Sequence, residues 1–413
     1  MSSFSKHSLS NWLSAVALSV CLVPSLDAQI SVSGVEDEEF YSGSVQFEVE
    51  TEEGFTYEAS LNGESVAVGE ELSVDRADYY ELEVTRTADE DGAIETELFQ
   101  FIIRADGRGR SESGLPISYI LAPIPSAQEE FAGSSLRVVT IPSVPVDVEI
   151  PIVLLSTDAD GTRRGVNGVV ASGDKSHPDV RLFRGVGSAW IAGQSEAGSV
   201  EYSASIYDQS VSANITVEAE TTWTEVSGTI DADADWGTGA RVRVTDDLDV
   251  DEGVTLTIGP GSVILLGEDV EVKIDGTLDV QGTEADAILF APVLRSAPWG
   301  GLRFEGENSS ATIRGAFFTG SGADDDWFDE GGRGSTHRDE QSLFYVRDDA
   351  QVVVEECYVL DNVGQAGHGT DGFLTLRRSV VQRCVTIGQY NGGTVLVEDS
   401  ALIEVPAWDS PFE

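Results

Sequence analysis

The sequence predicts an all-β protein, with two β-sandwich domains followed by a β-solenoid. Apolar residues alternate with polar ones along short segments, which is typical of strands that bury one face. Glycine, asparagine and aspartate separate these segments, and the C-terminal part repeats with a period of about 21 residues. The predicted boundaries are a signal peptide over 1–28, a first sandwich over 29–110, a linker over 111–146, a second sandwich over 147–220 and the solenoid over 221–413.

The N-terminus has the pattern of an export signal. The apolar run Trp12–Val23 is followed by a short polar segment that ends at Ala28, the expected cleavage position. The run is too short to cross a bilayer, and no later stretch is apolar enough to do so. Lipid attachment at Cys21 is the alternative, but Val20 is bulky for the position before such a cysteine. We therefore expect a secreted, extracellular or cell-surface protein without a membrane span.

The first sandwich is predicted from the alternation of apolar and polar residues and from one hairpin turn. Val45, Phe47 and Val49 alternate with polar residues, and Asn62-Gly63 is typical of a two-residue hairpin turn because both residues tolerate positive φ. Two stacked sheets with such strands give an immunoglobulin-like core.

The second sandwich repeats this pattern after a proline-rich segment. Ile150, Ile152 and Leu154 alternate with their neighbours, and Asp160-Gly161 favours a turn. Prolines stiffen the segment before it and remove backbone donors, so we expect a semi-rigid linker there. These prolines are Pro116, Pro123, Pro125, Pro142 and Pro145.

The solenoid is predicted from three aligned copies of one motif. Val352–Cys357 aligns with Leu374–Ser379, 22 residues on, and with Val395–Ser400, a further 21 residues on. A strand-rich period of this length indicates coils that stack and bury like positions over one another. Cys357, Ser379 and Ser400 then form a ladder of small inward residues. We expect Cys357 and Cys384 to be buried thiols, with a disulfide between them as the alternative in an oxidising compartment.

The net charge of −49 narrows the possible partners. Nucleic acid is excluded as a partner, because phosphate binding needs a basic surface. The acidic residues form either a solvated surface or a means of recruiting Ca²⁺.

Four segments carry a resemblance to a known family. They are Gly253–Gly261, Asp275–Thr283, Ile288–Phe290 and Pro298–Leu302. Together they resemble secreted bacterial right-handed parallel β-helix proteins of the pectate-lyase-like superfamily, over residues 223–413. The resemblance implies a right-handed parallel β-helix. It leaves function open, because that fold carries lyases, hydrolases, adhesins and passive stalks.

A hydrolase hypothesis comes from Gly367-His368-Gly369, which resembles the Gly-His-Gly motif of polygalacturonase-type glycoside hydrolases. An inverting mechanism needs two carboxyl groups about 6.5–9.5 Å apart, and an aspartate run is the candidate for this pair. That run is Asp324, Asp325 and Asp326. The family's Asn-Thr-Asp and Arg-Ile-Lys motifs are missing. The segment 364–370 also resembles 388–394, so His368 is alternatively a variable residue in a repeated turn.

An acidic insertion over 320–342 interrupts the coils and suggests a calcium or ligand-binding loop, with a flexible acidic loop as the alternative. Its candidate Ca²⁺ ligands are Asp324, Asp325, Asp326, Asp329 and Glu330. A polysaccharide lyase needs such a site and a basic residue. Three aromatic residues are candidates for stacking on a sugar, with core packing as the alternative: Trp299, Trp327 and Tyr390.

The sequence therefore favours a secreted binding or structural protein over an enzyme. Its expected ligand is a glycan, a cell-surface component or another copy of the chain. The alternative is a polysaccharide lyase or glycoside hydrolase acting on an acidic polysaccharide. The repeat still runs at Val395–Val405, which predicts either a further C-terminal continuation or end-to-end pairing of the last coil.

Overall fold

The computed structural model describes residues 30–36, 39–42, 45–52, 54–74, 78–89, 92–104, 126–174, 176–219, 222–295, 297–322, 341–362, 364–384 and 388–403. Within these ranges the protein is nearly all β. The one helical element among them is a short 3-10 turn, Gln128–Phe131. In the described part of the chain, no helix has the length and apolar character needed to cross a membrane.

The N-terminal unit, residues 30–104, has a five-stranded and a three-stranded sheet. The predicted alternation is present, since Val45, Phe47 and Val49 are buried while Gln46 is exposed. The Asn62-Gly63 turn has φ values of 51° and 82°, as a hairpin turn of this type requires. The strands are β1 (Val32–Ser33), β2 (Glu39–Ser42), β3 (Val45–Val49), β4 (Phe55–Leu61), β5 (Glu64–Val66), β6 (Leu72–Val74), β7 (Asp78–Ala88) and β8 (Ile94–Arg104).

The middle unit, residues 126–219, also has two sheets. One has three strands in the order β14-β11-β9, and the other has five in the order β10-β16-β15-β12-β13. The strands are β9 (Ser135–Thr140), β10 (Ser143–Pro145), β11 (Ile150–Thr157), β12 (Gly168–Ser172), β13 (Val180–Leu182), β14 (Val186–Ile191), β15 (Gly198–Ile206) and β16 (Gln209–Glu218).

Part of the segment expected to be a linker is ordered structure. Residues 126–146 contain the 3-10 turn and strands β9 and β10, which pair with β11 and β16. Pro142 and Pro145 do not prevent this pairing, because the first lies outside a strand and the second ends β10. Residues 105–125, the rest of the expected linker, lie outside the described residues, and the division into domains stays a prediction.

The remaining strands build parallel sheets that curl like a solenoid; this part, residues 222–403, is called the solenoid region. The chain passes in turn through three rows of parallel strands, and each strand pairs with its counterpart in the neighbouring coil. One row is a seven-stranded sheet. Its strands are β18 (Ala234–Trp236), β20 (Thr255–Ile258), β23 (Thr277–Gln281), β26 (Ser310–Arg314), β29 (Gln351–Glu355), β32 (Phe373–Arg377) and β35 (Thr394–Glu398).

The other two rows are the arms of a 13-stranded sheet. Strand β19 (Arg241–Val250) belongs to both arms and also pairs with β17 (Thr224–Ile230). The first arm continues with β22 (Val272–Ile274), β25 (Leu302–Glu305), β28 (Phe344–Arg347), β31 (Gly367–Thr370) and β34 (Gln389–Asn391). The second arm continues with β21 (Val263–Leu266), β24 (Ile288–Pro292), β27 (Ala316–Thr319), β30 (Tyr358–Asn362), β33 (Val380–Cys384) and β36 (Ala401–Ile403).

The copies that were aligned by sequence pair with each other in the structure. Val352 is the partner of Leu374, and Leu374 is the partner of Val395. One coil earlier, Ala311 pairs with Val352 in the same register. The sequence period thus gives the register of the seven-stranded sheet.

The ladder of small residues is also present. Ser379 Oγ accepts a hydrogen bond from the Cys357 amide at 3.1 Å, and Ser400 Oγ accepts one from the Ser379 amide at 3.1 Å. Cys357 and Cys384 are both free and buried. Burial raises the pKa of each thiol to about 12, so neither is a thiolate near neutral pH.

The last described coil leaves apolar side chains exposed. Every residue of β35 is exposed, and three of them are large: Val395, Leu396 and Val397. Residues 404–413 lie outside the described residues. The expected continuation or end-to-end pairing therefore stays a prediction.

The middle unit and the second arm share one hydrophobic core. Strands β11 and β14 are buried at every residue, so their sheet is covered on both faces. One face packs on the five-stranded sheet, and the other packs on side chains that the second arm turns outward. Those side chains include Val263, Leu265, Leu289, Phe317, Tyr358 and Leu360.

Candidate functional site

A cleft lined by described residues lies where the middle unit meets the solenoid region. Its volume is about 470 Å³, which suits a small ligand or a few sugar units. Strands β9 and β11 and the loop after β11 form one wall. The other wall consists of the loop after β23 and of the bends where each coil passes from the seven-stranded sheet to the second arm. Its charged lining residues are Arg137, Asp160, Arg163, Glu284, Glu356, Arg378 and Asp399.

The solenoid wall of the cleft is a column of residues at the same bend of successive coils. Gly315, Glu356, Arg378 and Asp399 all have left-handed backbone conformations, with φ values of 56°, 55°, 46° and 50°. The amides of Glu356 and Arg378 donate to backbone carbonyls of the next coil, each at 3.0 Å. These contacts fix the bend, and the side chains of the column line the cleft.

Charges alternate along this column. Arg378 Nη2 lies 2.5 Å from Glu355 Oε1, and Arg378 Nε lies 3.1 Å from Glu356 Oε1. One residue earlier in each coil, Arg377 pairs with Glu398 at 2.6 Å. Opposite charges on adjacent coils are favourable, while like charges would repel at that spacing.

The wall formed by the middle unit contributes two arginines. Arg137, on β9, pairs with Glu284 at 3.2 Å. Arg163, in the loop after β11, donates to the Ser400 carbonyl at 3.4 Å. Desolvation lowers the pKa of Arg163, and Asp399 opposes this effect, so the guanidinium remains charged.

The cleft offers hydrogen-bond donors and acceptors. Its carboxylates Glu284 and Glu356 are engaged in ion pairs with arginines. Burial raises the pKa of the Tyr358 phenol, so it stays protonated and acts as a neutral group. Side chains of this kind can form several directed contacts with a polar molecule.

The sequence candidates in the acidic insertion lie outside the described residues. These are Asp324, Asp325, Asp326, Trp327, Asp329 and Glu330. Their interpretation as Ca²⁺ ligands, catalytic carboxylates or a sugar platform therefore stays a prediction. Among the described residues, no group of three or more His, Cys, Asp or Glu side chains is arranged to hold a metal ion.

His368 lies on β31 of the first arm, outside the cleft. It pairs in register with Tyr345, and the two rings lie 5.4 Å apart between centroids. The preceding coil places Arg303 in register with Tyr345, and Arg303 forms ion pairs with Glu271 at 3.3 Å and Glu305 at 2.8 Å. His368, Tyr345 and Arg303 are all buried.

The two described aromatic candidates pack against the core. Trp299 is fully buried, and its Nε1 donates to the Thr319 carbonyl at 2.8 Å. Its indole therefore presents no open face to a sugar, and the stacking interpretation does not hold for this residue. Tyr390 is partly buried against the core of the solenoid region, above Gly367 and Gly369. Its position is that of a packing residue in the last described coil.

The sequence interpretation missed the residues of the cleft, although the aligned copies carried a signal for them. The fourth and fifth positions of the motif read Glu355-Glu356, then Arg377-Arg378, then Glu398-Asp399. Such alternation between stacked coils indicates a charged column. The arginines of the middle unit carried no such signal, because only the packing of the two regions brings them to the column.

No protein-family model matches the chain, and no curated protein matches it in sequence.

Proposed function

We propose that the chain is a secreted or cell-surface binding protein. Its C-terminal part is a right-handed parallel β-helix, and its two preceding domains are immunoglobulin-like sandwiches. The ligand is a glycan or another surface component with many hydroxyl groups. It binds in the cleft between the middle unit and the solenoid region.

The cleft is the observation that carries this proposal. It combines a volume of about 470 Å³ with donors and acceptors on both walls. Arginine and carboxylate side chains in one cleft bind hydroxyl groups well, since the former donate and the latter accept hydrogen bonds. Threonine and serine residues extend this lining: Thr157, Thr162, Thr283 and Ser379.

A rigid cleft also supports binding. Its two walls are held together by a shared apolar core and by buried polar contacts, such as the 2.6 Å hydrogen bond from Trp190 Nε1 to Asp361 Oδ2. A preformed site loses little conformational entropy when a ligand binds.

The alternative is a carbohydrate-active enzyme that acts on an acidic polysaccharide. The first arm offers two carboxylates, Glu271 and Glu305, that converge on Arg303 from adjacent coils. Both carboxylates are ion-paired, and Glu271 and Arg303 are buried, which favours a structural role for this cluster. Binding is therefore the better supported function.

A glycan array with and without Ca²⁺ tests the proposal, followed by product analysis of every hit. We expect binding without chain cleavage. New reducing ends would instead support a hydrolase, and unsaturated uronates would support a lyase. Binding that depends on Ca²⁺ would place the ligand at the acidic insertion rather than in the cleft.

A matched pair of variants locates the binding site. Thr162 lines the cleft and is exposed, so Thr162→Trp fills it and is expected to abolish binding. Val169, on β12, is 46% exposed and lies away from the cleft, so Val169→Trp is the control. Equal binding by both variants would contradict the cleft as the site.

A further inference from the structure

Arg163 differs from the other two arginines of the cleft. Arg137 pairs with Glu284, and Arg378 pairs with Glu355 and Glu356. Among the described residues, no carboxylate lies within ion-pair distance of Arg163, and Asp399 attracts its guanidinium only from further away. The one hydrogen bond of its side chain is the 3.4 Å contact with the Ser400 carbonyl. Its side chain is exposed within the cleft, so a ligand can reach it.

The charges of the cleft, with Arg163 included, nearly balance. Three arginines and four carboxylates line it, while the whole chain carries a net charge of −49. A ligand with many negative charges is repelled by the protein as a whole and by the carboxylates of the cleft. For a ligand with one negative charge, only that one group is repelled, and it gains a charge-assisted hydrogen bond from Arg163.

We infer that the cleft binds a glycan segment with a single anionic group, a carboxylate or a sulfate, among neutral sugar units, and that Arg163 holds this group. The inference rests on the proposed function and specifies its ligand. The paired arginines and carboxylates bind the neutral hydroxyl groups on either side. A polyuronate, with a charge on every unit, is disfavoured.

Four oligosaccharides test the inference by titration calorimetry: lactose, 3′-sialyllactose, lactose 3′-sulfate and trigalacturonate. We expect at least one of the two singly charged probes to bind about tenfold or more tightly than lactose, as a charge-assisted hydrogen bond provides. Comparison of these two probes distinguishes a carboxylate from a sulfate. Trigalacturonate is expected to bind more weakly than the preferred probe.

Two neighbouring substitutions provide the control. Arg163→Gln removes the charge but keeps hydrogen-bond donors, and it is expected to abolish the preference for the charged probe over lactose. Arg164 donates to the Glu130 carbonyl at 3.4 Å and does not line the cleft, so Arg164→Gln is expected to keep the preference. Circular dichroism of both variants checks that the fold is unchanged.

Several outcomes would overturn the inference: equal affinity for lactose and both charged probes, tightest binding of trigalacturonate, binding of none of the four, or an unchanged preference in Arg163→Gln. If the array still shows a neutral or polyanionic glycan whose binding Thr162→Trp abolishes, the proposed function stands while the inference fails. If no glycan or other surface component binds, both fail.

Discussion

The N-terminal unit and the middle unit were predicted as the same kind of module, yet they relate differently to the rest of the chain. The core of the N-terminal unit contains residues of that unit alone, such as Phe47, Leu82 and Phe101. The core of the middle unit continues into the second arm of the solenoid region. The ion pair between Arg181 and Glu81 links the two units.

Strand composition explains this difference. Strand β3 alternates buried and more exposed residues, so its sheet has one covered face. Strand β11, Ile150–Thr157, is buried throughout, and the second-arm strand β21, Val263–Leu266, is also buried at every residue. Sheets with two apolar faces must cover both of them, and these two cover each other.

Two units of one chain that each have two sheets can therefore differ in how they pack against the rest of the chain. The N-terminal unit is built to fold on its own core. The middle unit and the solenoid region are built to fold together, since each would otherwise expose a large apolar face. The middle unit and the solenoid region packed against each other are called the joint structure, and the cleft lies between them.

The largest expected effect comes from breaking the buried polar contacts of the joint structure. Arg383 forms two hydrogen bonds to Asp361, at 2.5 and 2.9 Å, and Arg383 also donates to Ser188 of the middle unit at 2.9 Å. Asp361→Asn leaves the Arg383 charge buried without its counter-ion. We expect a loss of about 3–5 kcal/mol in the free energy of unfolding of the joint structure. Urea unfolding measures it.

A double variant shows whether the unpaired charge of Arg383, and not the change of side chain at Asp361, causes the loss of stability. Asp361→Asn combined with Arg383→Gln removes both charges and keeps polar side chains of similar size. We expect it to recover more than half of the lost free energy, because no unpaired charge remains. An equally unstable double variant would show that the ion pair is not the cause.

A smaller effect, confined to one unit, is expected for Leu82→Ala. Leu82, on β7, is fully buried in the core of the N-terminal unit. Its truncation is expected to cost that unit about 2–4 kcal/mol. Differential scanning calorimetry should show one transition shifted down and the transition of the joint structure unchanged. A shift in both transitions would contradict the independence of the N-terminal unit.

Sequence reasoning predicted the repeat and its register well, because like positions must stack in coils and the motif around Val352, Leu374 and Val395 recurs at almost constant spacing. It did not predict the hydrophobic core that the middle unit shares with the second arm. The strand was predicted from the alternation of Ile150, Ile152 and Leu154, although their neighbours Val153 and Leu155 are apolar too. A continuous apolar run indicates a strand covered on both faces, but it does not say what covers it.

The same limit applies to the candidate site. Alternating charges at Glu356, Arg378 and Asp399 are visible once the copies are aligned. Arg137 and Arg163 lie more than a hundred residues earlier in the chain, and no spacing rule connects them with the column. The cleft depends on how two regions pack, which the local pattern of either region does not contain.

The smallest expected effect concerns pH and again tests the joint structure. Arg241 of the solenoid region donates to both carboxylate oxygens of Glu218 in the middle unit, at 2.9 and 2.5 Å. These hydrogen bonds lower the pKa of Glu218 despite its partial burial. A carboxyl with a lowered pKa stabilises the folded state above its unfolded pKa, and this stability is lost as the pH falls through the folded value.

Glu218→Gln should therefore lower the free energy of unfolding of the joint structure by about 1–2 kcal/mol at pH 7. The loss should become smaller as the pH falls from the ordinary glutamate pKa of about 4.3 through the lowered pKa of folded Glu218. Glu201→Gln, which removes an exposed carboxylate on the neighbouring strand β15, serves as the control for the loss of one charge from an acidic protein. Urea midpoints across this pH range measure both variants. If the difference in stability between Glu218→Gln and the wild type were the same at every pH, the ion pair of Glu218 with Arg241 would not hold the two regions together. The packing of their apolar faces would then account for the joint structure.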